Sequence, residues 1–278
     1  MRAAPLASAD GTELYTFFYP PPDRARAAIL YLHGYGEHAG RHAHVCDRLA
    51  KQGFATLALD YRGHGRAGGR RGHCDRFDEF LGDALTAWGA LGREVPGDLP
   101  RFFVAHSHGG LIALRLLCEP ERLPPGVRGA VLSSPFLGFR PVPAIQAFAG
   151  RVMSKLWPTF SQASGLDVKD FTHDEQMIAA WRADQLVHHV ATARWFTETQ
   201  AAQEYVQSNV GRIAVPTIWL WGEADRVVDP QATARIAPLT PNATRLPQPG
   251  LYHEIFNERE PERERILVEV DRWLAARS

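Results

Sequence analysis

Five short apolar runs, each closing on a loop rich in glycine or charge, set what this chain can become. They are AAILYLHGYG (27–36), FATLALDYRGHG (54–65), FFVAHSHGG (102–110), GAVLSSP (129–135) and PTIWLWGEAD (216–225). Each begins apolar throughout instead of alternating with polar residues, the pattern of a strand covered on both faces. Helical spacing fills the intervals. Val45, Leu49 and Ala50 share one face, Phe77, Phe80, Leu81, Leu85 and Trp88 another, and Ile266, Val270, Trp273 and Leu274 a third. A further strand is expected over TELYTFFY (12–19), behind the hairpin signal Asp10-Gly11. Strands alternating with helices predict an α/β chain with a mostly parallel central sheet flanked by helices.

One interval breaks the rhythm. From about Pro141 to Gln207 no convincing β-run occurs, and Val142, Ile145, Phe148, Ala149, Val152, Met153 and Leu156 form a helical stripe. Trp181, Leu186, Val187, Trp195 and Phe196 continue the apolar supply. We read residues 139–209 as a helical cap, or lid, inserted between strands, with residues 1–138 and 210–278 as the core. At 278 residues and 45% hydrophobic, the chain is long enough to bury such a core.

Charge and cysteine content exclude several classes. Lys+Arg and Asp+Glu are equal at 31 each, so no electrostatic case exists for nucleic acid. The Arg-rich stretch from Arg66 to His73 is interrupted by glycines and reads as a solvated loop. Cys46, Cys74 and Cys118 are scattered and odd in number, which argues against a disulfide scaffold and for a reducing compartment. The opening MRAAPLASADGTELYTFFYPP has no continuous apolar h-region, and no long apolar span follows it. The expectation is a soluble, cytoplasmic protein that makes at most transient contact with lipid surfaces.

In an open parallel sheet, chemistry collects beyond the carboxyl ends of the strands. The run from Phe102 ends at Ser107, the run through IWLWG ends at Asp225, and ATRLPQPGLYHEIF delivers His253 after a short strand. Serine needs a base to take its proton, and histidine titrates near neutrality. A carboxylate on the far ring nitrogen fixes the tautomer. Ser107 is otherwise an ordinary helix N-cap, a role serine often fills. Asp229 rivals Asp225 within one loop, and Asp225 stands nearer the strand end. An oxyanion would need donors. The His108 N–H lies at the start of the following helix, and the HGYG loop offers a second at Tyr35, where Gly34 and Gly36 permit a sharp turn.

HGYGEHAGRH (33–42), DYRGHGRAGG (60–69), VAHSHGG (104–110), GEADRVVDP (222–230) and GLYHEIFNE (250–258) occur in this order along nearly the whole chain. In them the chain resembles α/β-hydrolases of the monoacylglycerol lipase and lysophospholipase-like branch. That resemblance implies the α/β-hydrolase fold, Ser107 as nucleophile, Asp225 as triad acid, His253 as base, and Tyr35 and His108 as oxyanion donors. It also implies a mobile cap, no cofactor, and a small-molecule acyl ester as substrate: a monoacylglycerol, a lysophospholipid or a simple carboxylic ester. One departure stands out. The elbow pattern G-x-S-x-G here reads Ala105-His106-Ser107-His108-Gly109, which we take as tolerated strain.

Other readings remain open beside this one. An aminopeptidase-type hydrolase would need cap carboxylates for a free amine, and Glu198, Glu204 and Asp184 are candidates. A ligand-binding descendant without catalysis is the alternative from another class. Aspartate-nucleophile chemistry is disfavoured because the elbow residue is serine. The chain has 12 histidines, including the pairs His42/His44 and His106/His108, but nothing at zinc-site spacing such as HExxH, so no metal is expected. His33, His64 and His106 are expected to brace their loops. Ser133 and Ser134 follow a strand with no elbow around them. Phe136, Phe139, Phe148, Met153 and Trp157 either pack the cap or line an acyl pocket.

Overall fold

The computed structural model describes residues 1–140 and 144–278, so Val142 of the expected cap stripe lies outside the described residues. The chain opens with strands β1 (Arg2–Ala7), β2 (Glu13–Tyr19) and β3 (Ala27–Leu32), then helix α1 (Ala43–Lys51), β4 (Phe54–Asp60) and α2 (Asp78–Glu94). Strand β5 (Arg101–His106) runs directly into α3 (Ser107–Leu117), and β6 (Val127–Ser133) follows. The insertion comprises α4 (Ala144–Leu156), β7 (Ser161–Ala163), α5 (Glu175–Ala183), β8 (Val190–Thr192) and α6 (Ala193–Asn209). The chain returns through β9 (Thr217–Gly222), α7 (Pro230–Ile236), β10 (Ala243–Gln248) and α8 (Glu262–Ala275).

Eight strands form one sheet in the order β1-β2-β4-β3-β5-β6-β9-β10, antiparallel at β1-β2 and β2-β4 and parallel elsewhere. The uniform apolarity of the central runs follows from their two covered faces. Leu30, Leu32, Phe103 and Ala105 pack on one side with α2, α3 and α6. Ile29, Tyr31, Phe102 and Val104 pack on the other with α1 and α8. Phe102 and Phe103, adjacent in sequence, each bury a whole ring on opposite faces, stabilising the fold by roughly 1.5–3 kcal/mol apiece.

Two elements depart from the expectation. Strand β1 has almost no buried residue, because it is the outer strand of the sheet and carries Arg2 and Pro5. It therefore shows no apolar signal. The insertion also holds a short antiparallel ribbon, β7 with β8, where no strand is expected.

Most of the α4 stripe faces outward, while Ala149 and Met153 border a cavity. Ile145, Phe148 and Leu156 are 77%, 65% and 78% exposed. The inner face of α4 is built instead from small residues one turn apart. Gly150 sits against the Phe196 ring of α6, and the buried Ser154 hydroxyl lies 2.7 Å from that of Thr197. Small side chains let the two helices approach closely, so the larger ones are left on the far side. Among the described residues no helix is long and apolar enough to cross a membrane.

Candidate active site

Ser107 occupies the junction of β5 and α3 with φ +50°, a left-handed conformation that costs a serine strain and lifts its hydroxyl clear of the sheet. The turn requires a glycine two residues on. A Cβ at Gly109 would strike the carbonyl oxygens of Leu32 and His33, and its N–H donates to His33 O at 3.0 Å. Ala105, the departure from the elbow pattern, is fully buried in the strand opposite Leu32 and Leu132. The serine does not cap its helix. Its Oγ lies 2.8 Å from His253 Nε2.

The other face of that ring completes a chain. His253 Nδ1 lies 2.6 Å from Asp225 Oδ2, and Asp225 Oδ1 accepts from the backbone N–H groups of Val227 and Val228 at 2.8 and 3.0 Å. Asp229 has a different task. It caps α7, accepting from Gln231 N–H at 3.0 Å ahead of Pro230. A Cβ at Gly222 would collide with Leu251 and Tyr252 carbonyl oxygens, so this glycine is what lets the Asp225 and His253 loops close on each other. Burial lowers the His253 pKa, but the Asp225 charge and hydrogen bond, with Glu254 and Glu37 nearby, outweigh it and hold the imidazole above its usual 6.5.

Beside the serine, the loop after β3 is held by a buried acid. Glu37 Oε1 accepts from Gly34 N–H at 2.6 Å and lies 2.9 Å from His42 Nε2. Arg41 Nε donates to Glu37 Oε2 at 3.1 Å, and its Nη2 donates to Glu254 at 2.8 Å. Burial would raise the Glu37 pKa; His42, His106 and Arg41 outweigh that and keep it well below the ordinary carboxylate range. Asp60 accepts from Ala39 and Arg66 N–H groups at 2.7 and 2.9 Å, fixing the far ends of both flanking loops. The expected bracing histidines do this work: His33 Nδ1 lies 2.7 Å from Gly34 O, His64 Nδ1 2.9 Å from Arg62 O, and His106 Nδ1 3.2 Å from Ser133 Oγ. Among the described residues, the backbone N–H groups of Tyr35 and His108 donate to no protein acceptor. Ser133 is thus spent on His106, and Ser134, at φ +43°, only ends β6.

A cavity of about 260 Å³ lies over this group, with Ser107, His253, Tyr35, Phe136, Phe139 and Trp195 in its wall. A second, of about 340 Å³, continues into the cap behind Phe139 and Trp195 and is lined by Met153 and Phe160. Phe136, Phe139 and Met153 are therefore brought to cavities. Phe148 and Trp157 are not: Phe148 lies 65% exposed for the α4 packing reason given above, and Trp157, just past the end of that helix, lies 59% exposed. The cap carboxylates are also elsewhere. Glu198 accepts from Phe77 N–H, Asp184 lies 2.7 Å from His38 Nε2, and Glu204 faces outward beside Arg151.

Sequence reasoning missed Glu37, Arg41 and Trp195 as site residues. The E-x-x-x-R spacing directly after a buried strand was a usable signal for the first two, since residues four apart meet on one turn. Trp195 gave none, because a tryptophan in an apolar helix is ordinarily core.

A family model described as serine aminopeptidase, S33 matches residues 23–260. The chain is 30% identical over 276 residues to a monoacylglycerol lipase of Mycolicibacterium smegmatis, covering 98% of this chain and 96% of that protein. It is 30% identical over 249 residues to phospholipase YtpA of Bacillus subtilis, covering 88% and 93%. Among solved structures, a monoacylglycerol lipase of Paleococcus ferrophilus superposes with a TM-score of 0.83 at 27% identity, over 95% of this chain and 99% of that one.

Proposed function

The chain belongs to the α/β-hydrolase family described by the serine aminopeptidase, S33 model and is a serine ester hydrolase, and from that premise we propose that Ser107, His253 and Asp225 are its catalytic triad. The observation that carries this reading is one imidazole spanning Ser107 Oγ at 2.8 Å and Asp225 Oδ2 at 2.6 Å. Ser107 Oγ attacks the acyl carbonyl carbon while His253 Nε2 takes its proton. The tetrahedral oxyanion is met by the N–H groups of Tyr35 and His108, which have no internal acceptor to compete. The alcohol leaves with the proton from His253. Water then repeats the sequence on the acyl-enzyme, and no cofactor takes part.

The substrate we infer is a monoacylglycerol or lysophospholipid. The two adjoining cavities, walled by Phe136, Phe139, Met153 and Phe160, suit an acyl chain. Their relatives' names point the same way. Residues 139–209 act as the lid, whose exposed α4 face supports transient contact with a lipid surface, within a cytoplasmic protein. An aminopeptidase would need a carboxylate free to bind an amine. Glu37 and Glu254, the acids in the cavity wall, are instead both paired to Arg41.

Intact-mass analysis after treatment with a fluorophosphonate tests the assignment. One adduct is expected on the wild type and none on Ser107→Ala, with ester turnover falling by roughly four to six orders of magnitude. Full turnover in a pure Ser107→Ala preparation overturns it.

A further inference from the structure

Tyr35 and His108 share a property that a backbone donor does not require: the side chain of each is tied to the cap. The Tyr35 ring stacks on Trp195 of α6, with centroids 3.8 Å apart and planes inclined by 26°. Its hydroxyl donates to the carbonyl of Val190 in β8 at 2.7 Å. The His108 ring is wholly buried beneath the same tryptophan, and Trp195 Nε1–H donates to His108 Nε2 at 3.4 Å.

The direction of these bonds is fixed by chemistry. An indole nitrogen only donates, so His108 Nε2 accepts and the ring proton sits on Nδ1. Burial keeps this imidazole neutral, its pKa pushed down to about 3. Nδ1–H then donates to Tyr61 Oη at 3.2 Å, and the Tyr61 hydroxyl donates to Gly34 O at 2.8 Å. One unbroken chain therefore runs from a cap helix through His108 and Tyr61 to the loop that presents the Tyr35 N–H.

We propose that Trp195 is a positioning residue for the oxyanion hole: it holds the side chains of both donors, so that seating of the cap sets the geometry in which Tyr35 and His108 meet the developing charge. This rests on the reading of Ser107 as nucleophile and of those two N–H groups as its oxyanion donors. The Trp195 indole donates to His108 and not to Ser107 or His253, so it acts through its neighbours. A cap held only by apolar contacts could shift without disturbing the donors; this one cannot.

The test separates donor geometry from acyl packing, because Trp195 also walls both cavities. Trp195→Phe removes the indole N–H and keeps a ring for Tyr35 to stack on. On an acetyl ester, which has no chain to touch the cavity wall, kcat should fall roughly two- to tenfold, the worth of one hydrogen bond, with KM unchanged. A methyl trifluoromethyl ketone, whose hemiketal with Ser107 carries the same oxyanion, should lose affinity by the same factor. His108→Met removes both the acceptor for Trp195 and the donor to Tyr61 by a change outside the cap sequence, and Tyr35→Phe cuts the link to Val190. Both should move kcat and ketone affinity together, in the same direction. Unchanged kcat and ketone affinity in all three variants would overturn the proposal, and weaker binding confined to long-chain esters would make Trp195 only a cavity wall. A fall in kcat without a matching loss of ketone affinity overturns it equally. Absence of a fluorophosphonate adduct on wild-type Ser107 is a different failure, and it removes the nucleophile reading instead.

Discussion

Two opposing effects meet at His253. Burial disfavours its charged form, while Asp225 and the nearby Glu254 and Glu37 favour it more strongly, leaving its pKa above 6.5. In its proposed role as base it must start neutral. A pH profile of kcat/KM should therefore rise through an apparent pKa above 6.5 and level off on the alkaline side; a profile already flat at pH 6 would contradict this. Asp225→Asn should lower kcat by about four orders of magnitude by admitting the wrong tautomer. At this scale much of the site was legible, since strand ends, residue types and loop glycines together singled out Ser107, Asp225 and His253. The Asp225/Asp229 ambiguity was decidable too, because Asp229 is followed by Pro230, a helix-start pair that marks a cap. The bonds from Arg41 to Glu254 and from Trp195 to His108 were not legible in the same way. Their roles arise from partners 213 and 87 residues away.

Helix α4 shows where sequence periodicity stops being informative. Apolar residues at helical spacing mark a face, but not what it faces. Here the closer packing belongs to Gly150 and Ser154, and Ile145, Phe148 and Leu156 point outward. Strands β3 to β6 were readable because both of their faces are covered. Strand β1 was hidden by its edge position, and the ribbon of β7 and β8, three residues a side, is too short to leave a pattern. The outward face of α4 has a measurable consequence. Ile145→Ser combined with Leu156→Ser should reduce binding to phosphatidylcholine vesicles by about tenfold or more, given the free energy of transferring such side chains from water. Turnover of a short soluble ester should stay as in the wild type. Unchanged vesicle binding, in co-sedimentation, would remove this face from any role at lipid.

Across the whole molecule, burial disfavours the charged form of several imidazoles. Burial, the main cause in each, lowers His33 and His188 to about 4 and His108 to about 3, and pushes His64 and His106 well down. Depressed histidines bind fewer protons folded than unfolded, so stability is lost as pH falls below 6.5 and continues falling to about 4. His253 has the opposite sign: its contribution is complete below 6.5 and is lost as pH rises from there through its folded pKa. With His33, His108 and His188 alone, unfolding free energy near pH 5 should drop by about 4 kcal/mol per pH unit. Urea midpoints at pH 7 and pH 5 check this, and equal midpoints would show those rings to be protonated or solvated. A separate consequence follows from Arg41, which grips Glu37 beside Gly34 and Tyr35 and Glu254 beside His253. These groups are far apart in the order of synthesis. A ribosome finishes Ser107 long before it reaches His253, so the growing polypeptide carries the proposed nucleophile without the imidazole that would activate it. On the proposed triad, reactivity has to wait until the last loop docks and the Arg41 guanidinium joins the earliest and latest parts of the site.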